Sequence, residues 1–433
     1  MAQASRAMRL EAHRPSYWLG EEIVCSARKR AAARYGRSCI RNTRRTSGLE
    51  NNLVAANRVN RKFENQFVKI GASLTIRKPN RFTVASGAAL QVQNIAEPSV
   101  SITVDRQRHV DFQFTSQDLT LTVEEFSERY LKPGMAALGN QVDYDVLQNF
   151  DSLSNLVGTP NVTPATFSSS VQLVGRRMDD NAAPQDNRTL VLNPNAYWNI
   201  ANGLTPSFVM PTAKEALVKG YLATIGNYEV FMDQNIPTFA TGVHGTTNGI
   251  VSTAGQIGST ISTAGWFVGS GTSDSFVVGE VINFGGVFNI NPQSRQSTGV
   301  LKNFAITAST TVASDGATTA TLQITPSIVT SGPYQNVSAA PAANAVISIL
   351  TGTGAASSSY PQNLAFTRDA IGLVMVPMEI PQGVDFAARE TYRNISMRVI
   401  RAYDVNNDVF PTRIDILYGT TVYYDELGVR LTG

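Results

Sequence analysis

Two stretches of alternating apolar and polar residues constrain the fold of this chain more than any other feature. They span residues 67–84 and 99–116, and the residues between them are mostly small or turn-forming. Two such runs joined by a flexible tip predict a long β-hairpin. Because both arms carry many charged side chains, the hairpin has little core of its own. The pattern therefore predicts a ribbon that must lie on another surface to be stable.

A long helix is predicted directly after the second arm. Thr122 and Glu125 have the spacing of a capping box, in which a hydroxyl and a carboxylate satisfy the first free N–H groups. Apolar residues then recur at three- and four-residue steps, which predicts one apolar stripe along a helix. The stripe consists of Val123, Phe126, Tyr130, Leu131, Met135, Leu138, Val142, Val146 and Phe150.

The acidic residues of this helix raise the question of catalysis, because paired carboxylates are common acid/base groups. Glu124, Glu125 and Glu128 fall in the first turns, where the helix dipole favours negative charge. Asp143 and Asp145 are two residues apart and therefore point in different directions. The pattern favours a structural role, with the acids on the solvated face of a helical rod, over a catalytic pair.

Other kinds of chemistry are not indicated. His13, His109 and His244 share no spacing that would place two of them on one helix face, so no metal site is predicted. Nucleophile-elbow and phosphate-loop motifs are absent, and no cofactor is predicted. No run of 18 apolar residues exists, so no membrane-spanning helix is predicted. Chemistry that uses carboxylates alone is left open.

The N-terminal segment is strongly basic. Residues 1–47 hold 11 Lys or Arg against 3 Asp or Glu, a net charge of +8, whereas the remaining chain has a net charge of −5. This asymmetry predicts an arm that meets phosphate or an acidic partner, with a solvated leader as the alternative. Cys25 and Cys39 lie here and are predicted to be free thiols in a reducing cytoplasm. The DNA-facing candidates are Arg28, Lys29, Arg30, Arg34, Arg37, Arg41, Arg44 and Arg45.

The body of the chain predicts an α+β fold. Its predicted elements are a helix within 163–180, a strand and short helix at 188–201, a helix from 212 to near Gly220, a hairpin turning at Gly226–Asn227, and strands within 395–431.

At about residue 241 the composition changes abruptly. Residues 241–360 contain only five charged residues and are rich in Gly, Ser, Thr, Ala and Val. Short strands with Gly-rich turns predict a small β-barrel or sandwich, inserted into the α+β domain. The predicted strands are 276–290, 302–313 and 317–329, with an Asp315–Gly316 turn and long loops at 242–272 and 330–362.

Five motifs resemble one known family, the major coat proteins of short-tailed, lambdoid-type bacteriophages. They are "ENNLVAANRVNRKFENQF" (50–67), "IRKPNRFTVASGAAL" (76–90), "VDFQFTSQDLTLTVEEFSERYLKPGMAALGNQVDYD" (110–145), "LAFTRDAIGLVMVPM" (364–378) and "RVIRAYDVNNDVFPTRIDILYG" (398–419). The resemblance covers roughly residues 49–433. Residues 1–48 do not resemble the usual start of the family.

The resemblance implies the Hong Kong 97-type capsid fold with an inserted β-barrel domain. The implied parts are a basic N-terminal extension (1–48), an N-arm (49–66), an extended hairpin loop (67–116), a peripheral domain (117–180) with a spine helix (122–150), an axial domain and β-hinge (181–242 and 361–433), and the inserted barrel (243–360).

The resemblance also implies a structural protein that is not an enzyme. Copies are expected to form hexamers and pentamers of an icosahedral shell around double-stranded DNA, with a scaffolding protein and a portal protein as partners, no membrane contact, and maturation by expansion. A β-rich tail, decoration or receptor-binding protein is the alternative. Relatives that crosslink the shell through a lysine would make Lys69 or Lys78 the equivalent residue, although members with the inserted barrel generally lack this bond.

The charges of the hairpin then suggest how copies meet. Basic side chains on the hairpin are expected to pair with acids of a neighbouring copy, for which the first helical turns supply candidates by charge sign. The candidates for contacts between subunits are Lys69, Arg77, Lys78, Arg81, Asp105, Arg106, Arg108, Glu124, Glu125 and Glu128.

Overall fold

The computed structural model describes most of the chain from residue 54 onward. The described residues are 54–64, 73–93, 95, 97–115, 132–164, 166, 169–203, 224–245, 248–266, 274–312, 319–352, 357–392 and 395–432. The basic N-terminal segment, the capping box at Thr122 and the helix predicted from residue 212 lie outside these residues.

The described residues contain three α-helices and many short strands. The helices are α1 (Lys132–Leu147), α2 (Val171–Asp180) and α3 (Pro194–Gly203), with 3-10 turns at Gln148–Ser152 and Asp425–Leu427. The strands are β1 (Ser73–Arg77), β2 (Ser99–Thr103), β3 (Arg106–Thr115), β4 (Leu156–Val157), β5 (Arg188–Leu192), β6 (Thr224–Ile225), β7 (Tyr228–Met232), β8 (Thr238–Ala240), β9 (Ile250–Val251), β10 (Gly258–Ala264), β11 (Asp274–Phe276), β12 (Val281–Ile290), β13 (Ser297–Ile306), β14 (Thr310–Val312), β15 (Ala320–Ile328), β16 (Ile347–Ile349), β17 (Ser359–Thr367), β18 (Ile371–Met375), β19 (Phe386–Tyr392), β20 (Ile395–Arg401), β21 (Val409–Val422) and β22 (Gly428–Thr432).

The described part of the long helix buries the predicted stripe. Leu138, Val142 and Val146 of α1 are fully or almost fully buried, and Phe150 follows them in the 3-10 turn. They join a core with residues of β17, β18 and β21. The prediction of an amphipathic helix is thus confirmed for residues 132–147.

The second arm of the predicted hairpin divides between two sheets. β1 and β2 pair in antiparallel register, as predicted. β3, however, pairs with β21 from Arg106–Tyr418 to Thr115–Val409. The other edge of β21 carries β18 and β20, and β19 pairs with β20. Residues 67–72 of the first arm lie outside the described residues, so their pairing with residues 106–116 stays a prediction. The pairing of β3 with β21 was not predicted, because alternation identifies a strand but not its partner.

A seven-stranded mixed sheet forms the second half of the body. Its order is β4-β22-β17-β5-β7-β6, with β8 paired to β17. The hairpin of β6 and β7 turns at Gly226 and Asn227, as predicted, and both residues have positive φ angles of 55° and 69°. Such angles match the twist that a two-residue hairpin turn needs. α2 and α3 cover one face of this sheet through Val174, Ile200 and their neighbours.

The segment with few charges forms a separate sheet with its own core. The strand order is β16-β12-β13-β15-β10-β9, and β11 pairs with β14. The outermost strands also meet, because Val251 N donates to Ala345 O at 2.9 Å and Ile347 N donates to Gly249 O at 2.8 Å. Phe284 lies against Phe304 inside this core.

Two regions of this segment that were predicted as loops contain strands. β9 and β10 lie within residues 242–272, and β16 with the start of β17 lies within residues 330–362. The sequence of β10 is GSTISTA, in which only Ile261 is strongly apolar, although Thr263 is also fully buried. The prediction of loops was wrong here because small hydroxyl side chains give a weak hydrophobic alternation.

The inserted segment is attached to the body at a narrow neck. The chain enters after Ala240 and returns at Ser359, and these two residues are paired across β8 and β17. Two further contacts join the body to the inserted sheet. Arg177 of α2 donates to Leu301 O of β13 at 3.3 Å. The buried Arg430 donates from Nη2 to Gly279 O at 2.7 Å. These contacts seat the inserted sheet on the body.

Candidate functional site

The inner half of the hairpin, β1 and β2, rests on its own chain. Leu74 and Ile102 are buried and pack with Val374 of β18. Gly419 of β21 lies directly beneath Thr103, and a Cβ atom at Gly419 would stand only 1.9 Å from Thr103 O. The surface that the hairpin requires is therefore supplied, for this half, by β18 and β21 of the same chain.

The outer half of the hairpin, which we call the tip (residues 78–98), exposes a group of apolar side chains. Each of them is at least 62% exposed. Folded proteins rarely leave a contiguous apolar group exposed unless it meets a partner. The group consists of Phe82, Val84, Leu90, Val92 and Ile95.

The tip has some internal order in spite of this exposure. Thr83 N donates to Gln93 Oε1 at 2.8 Å, and Gln93 Nε2 donates back to Thr83 O at 2.5 Å. This segment was predicted to be a flexible connection, and its apolar residues were not predicted to be functional. The available signal was the alternation of Leu90 and Val92 with glutamines in a segment that was otherwise interpreted as a connection.

Five of the predicted contact residues have partners within the chain. Arg81 donates to both carboxylate oxygens of Glu426, at 3.1 and 2.6 Å. Arg77 pairs with Glu97 across the hairpin at 2.8 Å, where both side chains are exposed. Lys78 Nζ lies 4.8 Å from the centroid of the Tyr424 ring. The other two, Arg106 and Arg108, contact Asp145.

The remaining contact candidates are either exposed or outside the described residues. Asp105 is exposed at the junction of β2 and β3. Lys69, Glu124, Glu125 and Glu128 lie outside the described residues, so the pairing proposed for those acids stays a prediction. The same holds for the DNA-facing candidates, all of which lie within residues 1–53.

Asp145 is buried, contrary to the prediction of a solvated face. Its Oδ2 accepts from Arg108 Nη2 at 3.0 Å and from the Tyr418 hydroxyl at 2.6 Å, and its Oδ1 accepts from Gln141 at 2.8 Å. Arg106 Nη1 lies 3.7 Å from Oδ2. Burial, and then the hydrogen bond to Asp145, raise the pKa of Tyr418. Asp145 therefore joins α1 to β3 and β21.

Asp143 is also buried, and it holds the segment that begins the described chain. Its carboxylate accepts from the backbone N–H groups of Val54, at 3.3 Å, and Ala56, at 2.9 Å. The buried Asp233 lies beside it. Burial, and then the hydrogen bond and charge of Asp233, raise the pKa of Asp143 well above its usual range. Both aspartates of α1 were predicted to be structural and solvated. The prediction of solvation was wrong, because segments distant in the sequence cover both carboxylates.

The segment held by Asp143 has a second attachment. Arg58 forms an ion pair with Glu229 of β7 and lies over the ring of Phe231, 4.6 Å from its centroid. Ala55, Ala56 and Val59 are fully buried. The described part of the predicted N-arm is thus packed onto the body of its own chain.

Elsewhere, the structure places a buried histidine beside two buried acids. His244 Nε2 lies 2.8 Å from Glu280 Oε1, and Nδ1 lies 3.8 Å from Asp274 Oδ1, with all three side chains buried in the neck of the inserted sheet. Among the described residues, no group of three or more His, Cys, Asp or Glu has a geometry suited to a metal ion. No helix in the described ranges combines the length and apolar character needed to cross a membrane.

Several solved structures resemble the fold only distantly. A solved structure from Mycobacterium phage Che8 aligns with 88% of this chain and 90% of its own, at 13% identity and a TM-score of 0.48. The mature capsid of bacteriophage PhiM1 aligns over 88% and 87%, at 9% identity and a TM-score of 0.43. The virus-like particle from Pyrococcus furiosus aligns over 89% and 94%, at 8% identity and a TM-score of 0.40. No curated protein matches the chain.

A sequence family settles the relationship. Residues 44–433 match the family described as P22 coat protein, gene protein 5. The matched region covers nine-tenths of the chain and includes all five motifs on which the resemblance was based. The predicted resemblance to bacteriophage coat proteins is thereby confirmed. The chain belongs to the P22 coat protein family and is a bacteriophage major capsid protein, a structural component of the icosahedral shell.

Proposed function

We propose that each copy joins the shell by placing the apolar tip of its hairpin against a neighbouring copy. The observation that carries this proposal is the exposure of Phe82, Leu90, Val92 and their apolar neighbours on a hairpin whose inner half is already packed. Burying an apolar side chain of this size contributes roughly 1.5 to 3 kcal/mol. A second copy of the chain is the proposed occupant, because a shell repeats the same contact at every subunit.

The contact is directional, which bears on how copies arrange themselves. A hairpin tip that meets a different surface of the next copy makes a head-to-tail contact, and such contacts generate closed rings when the rotation closes. This supports the proposed hexamers and pentamers. Asp105 is exposed on the same hairpin, and we propose that it contributes a polar contact to a neighbouring copy.

Replacing two tip residues tests the proposal. We expect the double variant Leu90→Ser with Val92→Ser to fold normally, because both side chains are exposed, but to form few or no closed shells. The matched control is Ile257→Ser, which removes a 64% exposed side chain from the inserted sheet instead. Particles recovered after expression are counted by negative-stain electron microscopy, and urea unfolding checks the fold. Normal shell yield from the double variant would contradict the proposal.

The domain arrangement is proposed to be that of the Hong Kong 97-type fold with an inserted barrel at residues 243–360. The meeting of β9 with residues 344–347 supports a closed barrel, since a sheet whose outer strands are hydrogen-bonded has no free edge. The pairing of Ala240 with Ser359 supports an insertion, because the entering and leaving strands are neighbours.

The family relationship also suggests partners other than the chain itself. We propose assembly in the host bacterial cytoplasm around a scaffolding protein, with a portal protein, followed by expansion as double-stranded DNA is packaged. The family relationship supports these steps.

The basic segment is proposed to contact the packaged DNA through its arginines, on the support of its charge alone. Contacts with phosphate release counterions, so they weaken as the salt concentration rises. We expect shells built from a chain lacking residues 1–47 to retain DNA less well and with a smaller salt dependence, as measured by nuclease protection across a salt series. Identical retention curves for the full-length and shortened chains would refute a DNA contact.

A further inference from the structure

A short acidic turn connects three parts of this chain. Residues 424–427, which we call the acidic turn, link β21 to β22 and carry two carboxylates that face different partners. Asp425 accepts from Ser154 N at 2.6 Å and from the Ser154 hydroxyl at 2.5 Å, so it is fixed to the body. The buried Lys302 of the inserted sheet adds its positive charge. These interactions hold the acidic turn against the body.

Glu426 faces outward from this turn toward the hairpin. Its two oxygens receive the bidentate donation from Arg81 described above, and both side chains are about 30% exposed. Bidentate guanidinium–carboxylate pairs are stronger and more directional than single contacts. Burial opposes the charge on Arg81, but the hydrogen bonds and charge of Glu426 outweigh it and raise the pKa of Arg81. Lys78 adds its contact with the Tyr424 ring.

A loop of the inserted segment contacts the same point of the hairpin. The Tyr334 hydroxyl accepts from Arg81 N at 3.4 Å and donates to Asn80 Oδ1 at 3.4 Å. The loop that carries Tyr334 is held in turn by Arg295, which donates to Gly332 O at 2.7 Å and Pro333 O at 2.9 Å. Glu426 and Tyr334 therefore both contact the hairpin at the point where its packed inner half ends and its exposed tip begins.

We infer that Glu426 and Tyr334 form a latch on Arg81 that sets the direction in which the tip leaves the body before a neighbouring copy is met. This inference rests on the proposed role of the tip. A tip that is already directed loses less conformational freedom on contact, so assembly is faster. The latch also makes the position of the hairpin depend on the seating of the inserted sheet. Arg81, Glu426 and Tyr334 are positioning residues, and the contact itself belongs to the tip.

Charge reversal on unassembled subunits tests the latch directly. We expect Arg81→Glu to accelerate hydrogen exchange of the backbone amides at residues 80–83 by about fivefold, the upper range for a partly exposed ion pair. We expect Glu426→Arg to do the same, and the combined swap of the two charges to return exchange to near the original rate. Tyr334→Phe keeps the ring and removes the hydroxyl, and it should accelerate exchange by about threefold.

Arg77→Glu is the matched control. It makes the same charge change on the same hairpin, but Arg77 pairs only with the exposed Glu97 in the described structure and does not reach the acidic turn. Equal exchange in the Arg81→Glu and Arg77→Glu variants overturns the latch, as does a swap variant that exchanges as fast as the single variants.

A second measurement links the latch to assembly. We expect Arg81→Glu to slow shell formation about fivefold, measured by light scattering and electron microscopy, with Arg77→Glu close to the original rate. Faster exchange without slower assembly overturns the positioning role. The tip variants at Leu90 and Val92 leave the acidic turn untouched, so shells formed by them contradict the proposed contact while leaving the exchange results on the latch intact.

Discussion

Replacing Gly419 with alanine is expected to destabilise the subunit by roughly 3 kcal/mol or to prevent its folding. The added Cβ would lie 1.9 Å from Thr103 O, 2.8 Å from Thr103 C and 3.0 Å from Val104 Cα. All three are backbone atoms, so no side-chain rotation relieves the contact. β2 would have to lift away from β21, which would also separate Ile102 from Val374.

This is measured by unfolding the unassembled subunit in urea, with tryptophan fluorescence as the signal. Gly134→Ala provides the control, because a Cβ there meets Ile414 Cδ1 and Val110 Cγ1 at an ordinary 3.5 Å. In a helix, this change should leave stability unchanged or raise it by about 0.5–1 kcal/mol. If the two variants unfold at the same urea concentration, β2 does not cross β21 as closely as described.

The second large effect is expected for Asp145→Ala. Removing this carboxylate leaves Tyr418, Arg108 and Gln141 without their shared acceptor. Breaking a buried, hydrogen-bonded charge pair typically costs about 3–5 kcal/mol. Because Arg108 retains some solvent contact, the lower part of that range is expected.

Asp105→Ala is the comparison for this variant. It removes an exposed carboxylate from the junction of β2 and β3, so we expect the free energy of unfolding to change by no more than about 0.5 kcal/mol. Both variants are measured by the same urea titration. A loss of less than 1 kcal/mol in Asp145→Ala would show that Asp145 does not hold α1 against β3 and β21.

Local patterns predicted the elements of the body well. The spacing of Leu138, Val142 and Val146 predicted a helix and its buried face, and both are confirmed. The two-residue turn at Gly226–Asn227 was identified from the residue types alone. These features depend on neighbours within a few positions along the chain, which is the range over which sequence periodicity carries information.

The candidate site was predicted less well, since its contacts join residues that are distant in the sequence. Arg81 was predicted to pair with an acid of a neighbouring copy, whereas its described partner Glu426 lies 345 positions away in the same chain. By residue type, Asp143 and Asp145 are expected on a solvent-exposed helix face. They are buried only because β21, β7 and the segment at residue 54 pack near them.

The sequence by itself determined most helices and strands of the body, where the composition changes at residue 241, and which family the chain belongs to, because these depend on local order and on residue identity. Only the tertiary structure decided that β3 pairs with β21, that two aspartates turn inward, and that the hairpin divides into a packed half and an exposed tip. The physical reason is that strand pairing and charge burial are set by which surfaces come together, and the free energy of those contacts is absent from any short stretch of the chain.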